Sequence, residues 1–201
     1  MDDRHVIHNA RILISAAGNI ENVGRQSGVA IPEGYQHLSF PESFVWPGGV
    51  DLTPNTQTGR SGDLSNIVHP DNPELRTLDT IRANNQLHQV GRAGGVTMVN
   101  AIPGSGTNIS GAGTLVQLVN SSHVEDVVYK YPGSVKVAQG YNPERGDDLG
   151  ASRMGMWWML RWYLDRADEI AQADTLVKHP DMASIAGIFQ KKHPFLVHTA
   201  G

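Results

Sequence analysis

The sequence predicts an α/β protein with a largely parallel sheet, and three observations support this fold class. After Trp46, segments typical of strands alternate with segments typical of helices. The first forty-odd residues contain short strand-like pieces without a helical pattern. The 22 glycines and 11 prolines among 201 residues fit many short connections and disfavour a helical bundle. We therefore predict two parts, a small β-rich domain at residues 1–46 and an α/β domain at residues 47–201.

The N-terminal part consists of predicted strands. Residues 6–14 form the first, and shorter β-prone pieces follow at 29–31 and 37–40. Residues 44–52 predict a buried strand that is entered through a Pro–Gly kink. Residues 53–72 are polar and rich in Gly, Asn, Ser and Thr, which predicts a long loop. Loops of that length inside a compact domain are usually functional or mobile.

The α/β part begins with a predicted helix from Pro73, because proline and an acidic residue favour the first turn of a helix. A second helical piece at 86–93 ends at two glycines. Residues 96–102 form the clearest strand, which leads into a glycine-rich loop at 103–113. We predict that this strand lies beside the strand at 48–52, parallel to it, within consecutive right-handed β-α units.

The remaining predicted elements complete the alternation of strands and helices. Ser152 is a plausible N-cap for the longest helix. In order along the chain, these elements are strands at 115–119 and 135–138, helices at 152–173 and 182–190, and a last strand at 194–198.

Charge and composition exclude several classes of function. A net charge of −4 with scattered basic residues predicts neither a nucleic-acid partner nor an anionic membrane partner. The absence of cysteine excludes disulfides, zinc ribbons and thiol nucleophiles. Because no signal peptide and no apolar run of about 20 residues is recognisable, we expect a cytoplasmic protein. We expect a small-molecule substrate or ligand as the partner.

The glycine-rich loop is the first candidate site, since polar residues that follow parallel strands face the active site in α/β folds. Its backbone N–H groups could cradle a phosphate, although it matches neither the P-loop nor the dinucleotide-binding pattern. The alternative is a tight, irregular loop. We predict that Gly104, Ser105, Gly106 and Asn108 bind substrate.

Lys136 and His198 are the candidate metal ligands. Lys136 interrupts an apolar strand, where a lysine is costly to bury unless it is paired, or carbamylated to bridge metals. The alternative places it on the outer face of the strand in an ion pair with a helix. His198 ends the last predicted strand, where it is either a metal ligand or a hydrogen-bonded structural histidine. The sequence identifies no catalytic residue.

Three stretches together resemble the imidazolonepropionase-like branch of the amidohydrolase superfamily. Residues 46–51 (WPGGVD) resemble the segment that opens the barrel in this superfamily. Residues 94–99 followed by 103–106 resemble the second strand and loop of that branch. Residues 136–145 followed by 152–155 are similar to a lysine-, asparagine- and proline-containing stretch and its helix. The resemblance implies a partial TIM-type (β/α) barrel of the metal-dependent hydrolase kind, preceded by strands of a small β-sandwich.

The chain departs from the family pattern in two respects. Thr53 and Asn55 occupy the positions of the His-x-His pair that seats the first metal, and they are poor ligands for a transition metal. The family is also about twice as long, with eight barrel strands. Half a barrel would leave an edge strand and apolar helix faces uncovered, so we expect a homo-oligomer or a complementary chain.

The function implied by the resemblance is hydrolysis of a C–N bond, in a cyclic amide or peptide-like substrate, by water activated on a divalent metal such as zinc. The chain would act as part of a longer or split protein. One alternative is a non-catalytic relative that keeps the fold and binds a ligand or partner. Another is a complete small α/β binding module unrelated to barrels.

Overall fold

The computed structural model of the chain describes residues 6–52, 61–144 and 152–199. The chain divides into two compact units, Met1–Trp46 and Pro47–Gly201. The expectation that Thr53 and Asn55 replace a metal-binding pair falls outside the described residues. Within the described ranges, no helix combines the length and the apolar character needed to cross a lipid bilayer.

The first unit contains an antiparallel hairpin of strands β1 (Ala10–Ile14) and β2 (Ile20–Arg25). Its turn includes Gly18 at a φ of 82°, which a residue without Cβ adopts without strain. Strand β1 begins at Ala10, four residues later than the predicted start at residue 6. The β-prone pieces at 29–31 and 37–40 form no strand, because no neighbouring strand pairs with them. The assignment of this unit to a β-sandwich stays a prediction.

The second unit contains a mixed five-stranded sheet in the order β3-β4-β5-β6-β7. The outer pairs β3/β4 and β6/β7 are parallel, whereas β4/β5 and β5/β6 are antiparallel. The strands are β3 (Gly49–Asp51), β4 (Val96–Ala101), β5 (Ile109–Gln117), β6 (Val128–Ala138) and β7 (Phe195–His198).

The predicted pairing of β3 with β4 is confirmed, but the prediction of consecutive parallel β-α units is wrong for β4, β5 and β6. Only residues 102–108 separate β4 from β5. A parallel connection needs a crossover of about a dozen residues or more, so a link this short gives antiparallel neighbours. The predicted strand at 115–119 in fact begins at Ile109, and half of the predicted glycine-rich loop belongs to β5.

Gly111 explains why a strand is present in a stretch whose glycines predicted a loop. Its φ is 103°, and a Cβ there would overlap the carbonyl oxygen of Leu75. Residues 71–76 run beside this part of β5: Asn72 N donates to Ile109 O at 2.8 Å, and Ala112 N donates to Leu75 O at 2.8 Å. The backbone of this segment is therefore bonded to β5 and does not form the helix predicted from Pro73. Only a 3₁₀ turn at Thr77–Thr80 is present there.

The helices of the second unit agree more closely with the sequence. They are α1 (Gln86–Ala93), α2 (Val124–Val127), α3 (Arg153–Gln172) and α4 (Ala183–Phe189). The predicted N-cap of α3 is confirmed, since the hydroxyl of Ser152 accepts from Gly155 N at 3.2 Å. Asn85 caps α1 in the same way through Leu87 N.

The core lies on one face of the sheet. Val135 and Val137 of β6 pack with Leu160 and Ile170 of α3 and with Ile185 of α4. A second cluster joins β4 and β5 to the segments around them through Ile81, Ala83, Val99, Ala101, Val116, Leu118 and Val127. We call this apolar side of the sheet the helix-packed face.

Candidate functional site

The opposite side of the sheet carries polar side chains. Successive residues of a strand point to opposite faces, so Ser134, Lys136 and Ala138 point away from the helix-packed Val135 and Val137. We call this side the polar face, and its polar members in the central and last strands are Asn100, Ser134, Lys136 and His198. His198 belongs to it because it pairs in register with Ala138, as Leu196 does with Lys136.

Asn100 and Ser134 are joined across the polar face. The amide of Asn100 donates to Ser134 Oγ at 2.9 Å, and both residues are buried. Gly113 and Gly133 leave room for this pair. A Cβ at Gly113 would lie 2.6 Å from Ser134 Oγ, and one at Gly133 would lie 3.0 Å from Asn100 Oδ1. Gly113 and Gly133 therefore make room in the sheet for the side chains of Asn100 and Ser134.

Lys136 reaches from the polar face to the loop between β4 and β5. Its side chain is 3% exposed, and Nζ lies 2.7 Å from Pro103 O and 2.8 Å from Ser105 Oγ. Burial lowers the pKa of Lys136 from 10.5 to about 8. In the part of the chain that the structure describes, no ion pair reaches Nζ. The alternative of a lysine paired with an acid on an outer helix is therefore wrong.

Backbone hydrogen bonds to neighbouring segments hold the loop that Lys136 contacts. Gly104 N donates to Leu64 O at 2.7 Å, and Asn108 N donates to Pro70 O at 2.8 Å. A Cβ at Gly104 would overlap the hydroxyl of Ser65. Because these two N–H groups already have partners, they are not available to cradle a phosphate. The loop positions Ser105 and Asn108 at the C-terminal ends of β4 and β6.

Three residues at these strand ends carry buried polar atoms without a hydrogen-bond partner among the described residues. They are Asn108 Oδ1, both amide atoms of Gln139, and His198 Nε2. The three are adjacent: Asn108 Nδ2 donates to Ala138 O at 2.9 Å, and Gln139 N donates to His198 O at 2.9 Å. We call Asn108, Gln139 and His198 the strand-end cluster.

Unpaired buried polar atoms are rare in folded proteins, because each loses its bonds to water on burial at a cost of about 1–3 kcal/mol. Four such atoms lie in this cluster, and water or a ligand can supply the partners that the described residues do not. Gln139 offers a donor and an acceptor, Asn108 offers an acceptor, and the imidazole of His198 offers either, according to its tautomer.

The predicted metal ligands do not form a metal site by themselves. In residues 6–52, 61–144 and 152–199, no group of three or more His, Asp and Glu residues is placed to hold an ion. Lys136 Nζ is already a donor to two oxygens, which does not fit a ligand that must present a lone pair. His198 Nε2 alone would need ligands from elsewhere. The described residues therefore do not fit zinc.

The structure also contains a cavity of about 540 Å³ that does not include the polar face. Tyr131, Leu176 and His193 are among the residues that line it. His193 Nε2 lies 2.5 Å from Ser184 O, and burial lowers the pKa of this histidine. The imidazole donates to this carbonyl in the first turn of α4.

No family model matches the chain, and no curated protein matches it. The structure is similar to that of an amidohydrolase from Thermotoga maritima MSB8, with a TM-score of 0.72 and 24% sequence identity. The chain shares the fold of the matched part of that protein. The similarity covers 93% of this chain and 52% of that protein, so the chain spans about half the length of its structural relative.

The sequence identified part of the site and missed part of it. Ser105, Asn108, Lys136 and His198 were predicted, and the structure brings Ser105 to Lys136 and brings Asn108 and His198 to the ends of adjacent strands. The hydrogen-bonded pair Asn100–Ser134 and the residue Gln139 were missed. The signal for Ser134 was a polar residue at every second position of an apolar strand, as in Ser-Val-Lys-Val-Ala, which marks a strand with one polar buried face, whereas Gln139 falls outside this alternation.

Proposed function

We propose that this chain is part of an amidohydrolase-type enzyme that hydrolyses a C–N bond in a small cyclic amide or peptide-like substrate. The observation that carries the proposal is the strand-end cluster, in which buried polar atoms of Asn108, Gln139 and His198 have no hydrogen-bond partner among the described residues. An amide presents one N–H donor and one carbonyl acceptor in a plane. The side chains of this cluster supply the complementary acceptor and donor.

The position of the cluster supports the same proposal. In barrel enzymes the active site lies at the C-terminal ends of the strands. Asn108 and Gln139 lie at the C-terminal end of β6, and His198 ends β7. The imidazolonepropionase-like branch, the TIM-type barrel and the remaining barrel strands, in a longer or split protein, are parts of the proposal. A divalent metal would activate water in such an enzyme, and its ligands would come from outside the described residues.

The alternative function is a non-catalytic relative that binds a small polar ligand in the same place. The observation that favours it is the absence, throughout the described ranges, of three His, Asp or Glu side chains grouped to hold an ion. Under this alternative the strand-end cluster recognises a ligand and releases it unchanged. The two functions share the cluster and differ only in turnover.

Hydrolysis and binding measured on one panel of compounds separate the two functions. The panel contains a five-membered cyclic imide, a six-membered cyclic amide and an N-acetylated dipeptide, each with and without added Zn²⁺. We expect turnover of at least one compound, and a loss of about a hundredfold in Gln139→Ala and His198→Ala, because misplaced substrates react far more slowly. His123→Ala, at an exposed position, is the control.

Each outcome of this experiment decides between the candidates. Turnover that depends on Gln139 and His198 supports the hydrolase. Binding that depends on them, without turnover, supports the ligand-binding alternative. Turnover that survives both substitutions would place the active site elsewhere in the protein, and neither binding nor turnover of any compound would contradict both functions.

A further inference from the structure

The cavity of about 540 Å³ lies beside the N-terminal ends of β6 and β7, whereas the strand-end cluster lies at their C-terminal ends. Lys130 and Tyr131 of β6 line it together with Lys192 and His193, which precede β7. Its volume falls within the range of about 300–1,000 Å³ that is typical of sites for small molecules. The cavity is therefore a candidate binding site separate from the strand-end cluster.

Two carboxylates lie together in the lining of this cavity. They belong to Glu74 and Asp181, which are both exposed. Burial and the hydrogen bond to Asp71 raise the pKa of Tyr163 on α3, and the charges of Glu74 and Asp181 raise it further. A charge shifts a pKa only from nearby, so both carboxylates lie close to Tyr163. This part of the lining carries negative charge.

Two ammonium groups lie together in another part of the lining. Burial lowers the pKa of His193, and the charges of Lys130 and Lys192 lower it further, so both lysines lie close to this histidine. Lys130 Nζ donates one of its three hydrogens to Lys192 O at 2.6 Å and keeps two for a ligand. Throughout the described ranges, no salt bridge joins either lysine to a carboxylate. The positive and the negative groups therefore occupy separate parts of the cavity.

Much of the remaining lining is apolar and held in place. Its apolar members include three proline rings and one leucine: Pro73, Pro132, Leu176 and Pro180. A proline side chain loses no rotamer freedom when a ligand packs against it. Ser184 Oγ donates to Pro73 O at 3.0 Å, and His193 Nε2 donates to Ser184 O at 2.5 Å. These bonds join three segments of the lining, so the cavity is formed before a ligand enters.

We propose that this cavity binds a small zwitterion whose ammonium and carboxylate groups are several atoms apart, as in a dipeptide. The ammonium group lies toward Glu74 and Asp181, and the carboxylate lies toward Lys130 and Lys192. A ligand with a single charge would pair with one part of the lining and leave the other part without a partner. A free amino acid carries both charges on one residue, whereas an extended dipeptide spans about 7 Å and reaches both parts.

The experiment uses 6-aminohexanoate as its probe, because this molecule has both charges, an apolar chain between them and no amide bond. Hexanoate and hexylamine are matched probes of similar length, each of which lacks one charge. Each probe is titrated into the full chain, and the imidazole signals of His193 and His198 are followed by NMR. We expect saturable shifts at His193 with 6-aminohexanoate, little change at His198, and roughly fivefold weaker binding of either matched probe.

Two substitutions test which group of the ligand each part of the lining binds. Lys192→Gln and Asp181→Asn each remove one charge at an exposed position and keep the size of the side chain. Each should weaken binding of 6-aminohexanoate roughly threefold. Lys192→Gln should not weaken binding of hexylamine, which has no carboxylate, and Asp181→Asn should not weaken binding of hexanoate, which has no ammonium group. Lys191→Gln and Asp165→Asn make the same charge changes at exposed positions outside the lining and should leave every affinity unchanged.

Equal affinity for the three probes, or no saturable shift at His193 with 6-aminohexanoate, would overturn the inference. Shifts centred on His198 would also overturn it, because they would place the probe at the strand-end cluster. Equal losses in Lys192→Gln and Lys191→Gln would show that only the overall charge of the chain matters. The site is independent of the proposed function, since the probe has no amide bond to hydrolyse. Binding of the probe at His193 therefore stands even when no compound of the amide panel is turned over.

Discussion

The two faces of the sheet differ in chemistry although the same strands form both. On the helix-packed face, Val135 and Val137 contact Ile170 and its neighbours in α3 and α4. On the polar face, Ser134 and Lys136 are equally buried but bond to polar atoms of other segments. From Ser134 to Lys136 and Val137, the strand β6 thus alternates between residues of the polar face and residues of the core.

This difference separates the residues that stabilise the fold from those that are available for chemistry. The helix-packed face removes large apolar side chains from water, which is the main favourable contribution to folding. The strand-end cluster buries polar atoms that have no hydrogen-bond partner among the described residues, and this lowers stability. A site of this kind persists only because the opposite face of the same sheet is well packed.

The largest effect on stability should come from the helix-packed face. Ile170 is 2% exposed and lies between α3 and the sheet, so Ile170→Ala should lower the free energy of unfolding by about 4 kcal/mol. Val177→Ala is the control, because Val177 is 96% exposed and should change it by less than about 0.5 kcal/mol. Urea denaturation followed by circular dichroism measures both. A loss below about 1 kcal/mol at Ile170 would contradict the position of the core.

On the polar face, Lys136→Met should raise the free energy of unfolding, whereas Ile170→Ala lowers it. The size of this increase should depend on pH. Burial lowers the pKa of Lys136 in the folded chain from 10.5 to about 8. Between these pH values the unfolded chain binds more protons than the folded chain, so wild-type stability rises with pH in that window. Below about pH 8 both states are protonated, and the folded chain carries the full penalty of the buried charge.

We therefore expect the unfolding free energy of the wild type, relative to Lys136→Met, to rise by about 3 kcal/mol between pH 8 and pH 10.5. Denaturant titrations of both proteins over this range measure the difference. Lys130→Met should show no such trend, because Lys130 is exposed. A difference between wild type and Lys136→Met that stays constant with pH would mean that Lys136 remains well solvated.

A smaller effect is expected in the loop that holds Ser105. Gly104→Ala places a methyl group on the hydroxyl of Ser65 and should lower stability by about 1–2 kcal/mol. Ser65→Ala removes that hydroxyl, so the double variant should recover most of the loss. Thermal melting of the two single variants and the double variant measures the three changes in stability. Additive losses would show that Ser65 does not confine the loop.

A substitution on the exposed side of α3 should have the smallest effect on the free energy of unfolding. It should have a clear effect on association of the chain with a second copy or a complementary chain. Trp157, Trp158 and Trp162 are 53%, 60% and 50% exposed, an unusual density of large apolar side chains in contact with solvent. We propose that a second copy or a complementary chain covers them. Trp158→Ser should change stability by less than about 0.5 kcal/mol but reduce the mass measured by light scattering. A wild-type chain that is monomeric at all concentrations would contradict this proposal.

Much of the fold followed from local patterns, and the errors share one cause. The helices at α1 and α3 and the strand β4 were predicted because capping residues and apolar periodicity are local signals. The stretch from Pro73 looked helical for the same reason, but its backbone bonds to β5, a tertiary contact that local patterns do not contain. The antiparallel course of β5 was missed because its glycines suggested a loop.

The candidate site could be predicted where a polar residue was conspicuous in its segment or lay in the glycine-rich loop after a strand. Lys136 stood out in an apolar strand, and His198 stood out at a strand end. Gln139 did not, because it follows a strand without any local anomaly, and its significance lies in two buried atoms that meet no partner within the described residues. Unsatisfied hydrogen bonding depends on three-dimensional placement, which a sequence pattern does not report.

Direct mapping of ligand contacts tests the central claim that the strand-end cluster is the functional site. The measurement is an NMR titration of the ¹⁵N-labelled chain with the cyclic imide, observing the side-chain amides of Asn108 and Gln139 and the imidazole of His198. We predict saturable shifts at these three groups, with little change at His193 beside the separate cavity. Shifts centred on His193, with the strand-end cluster unaffected, would contradict the account.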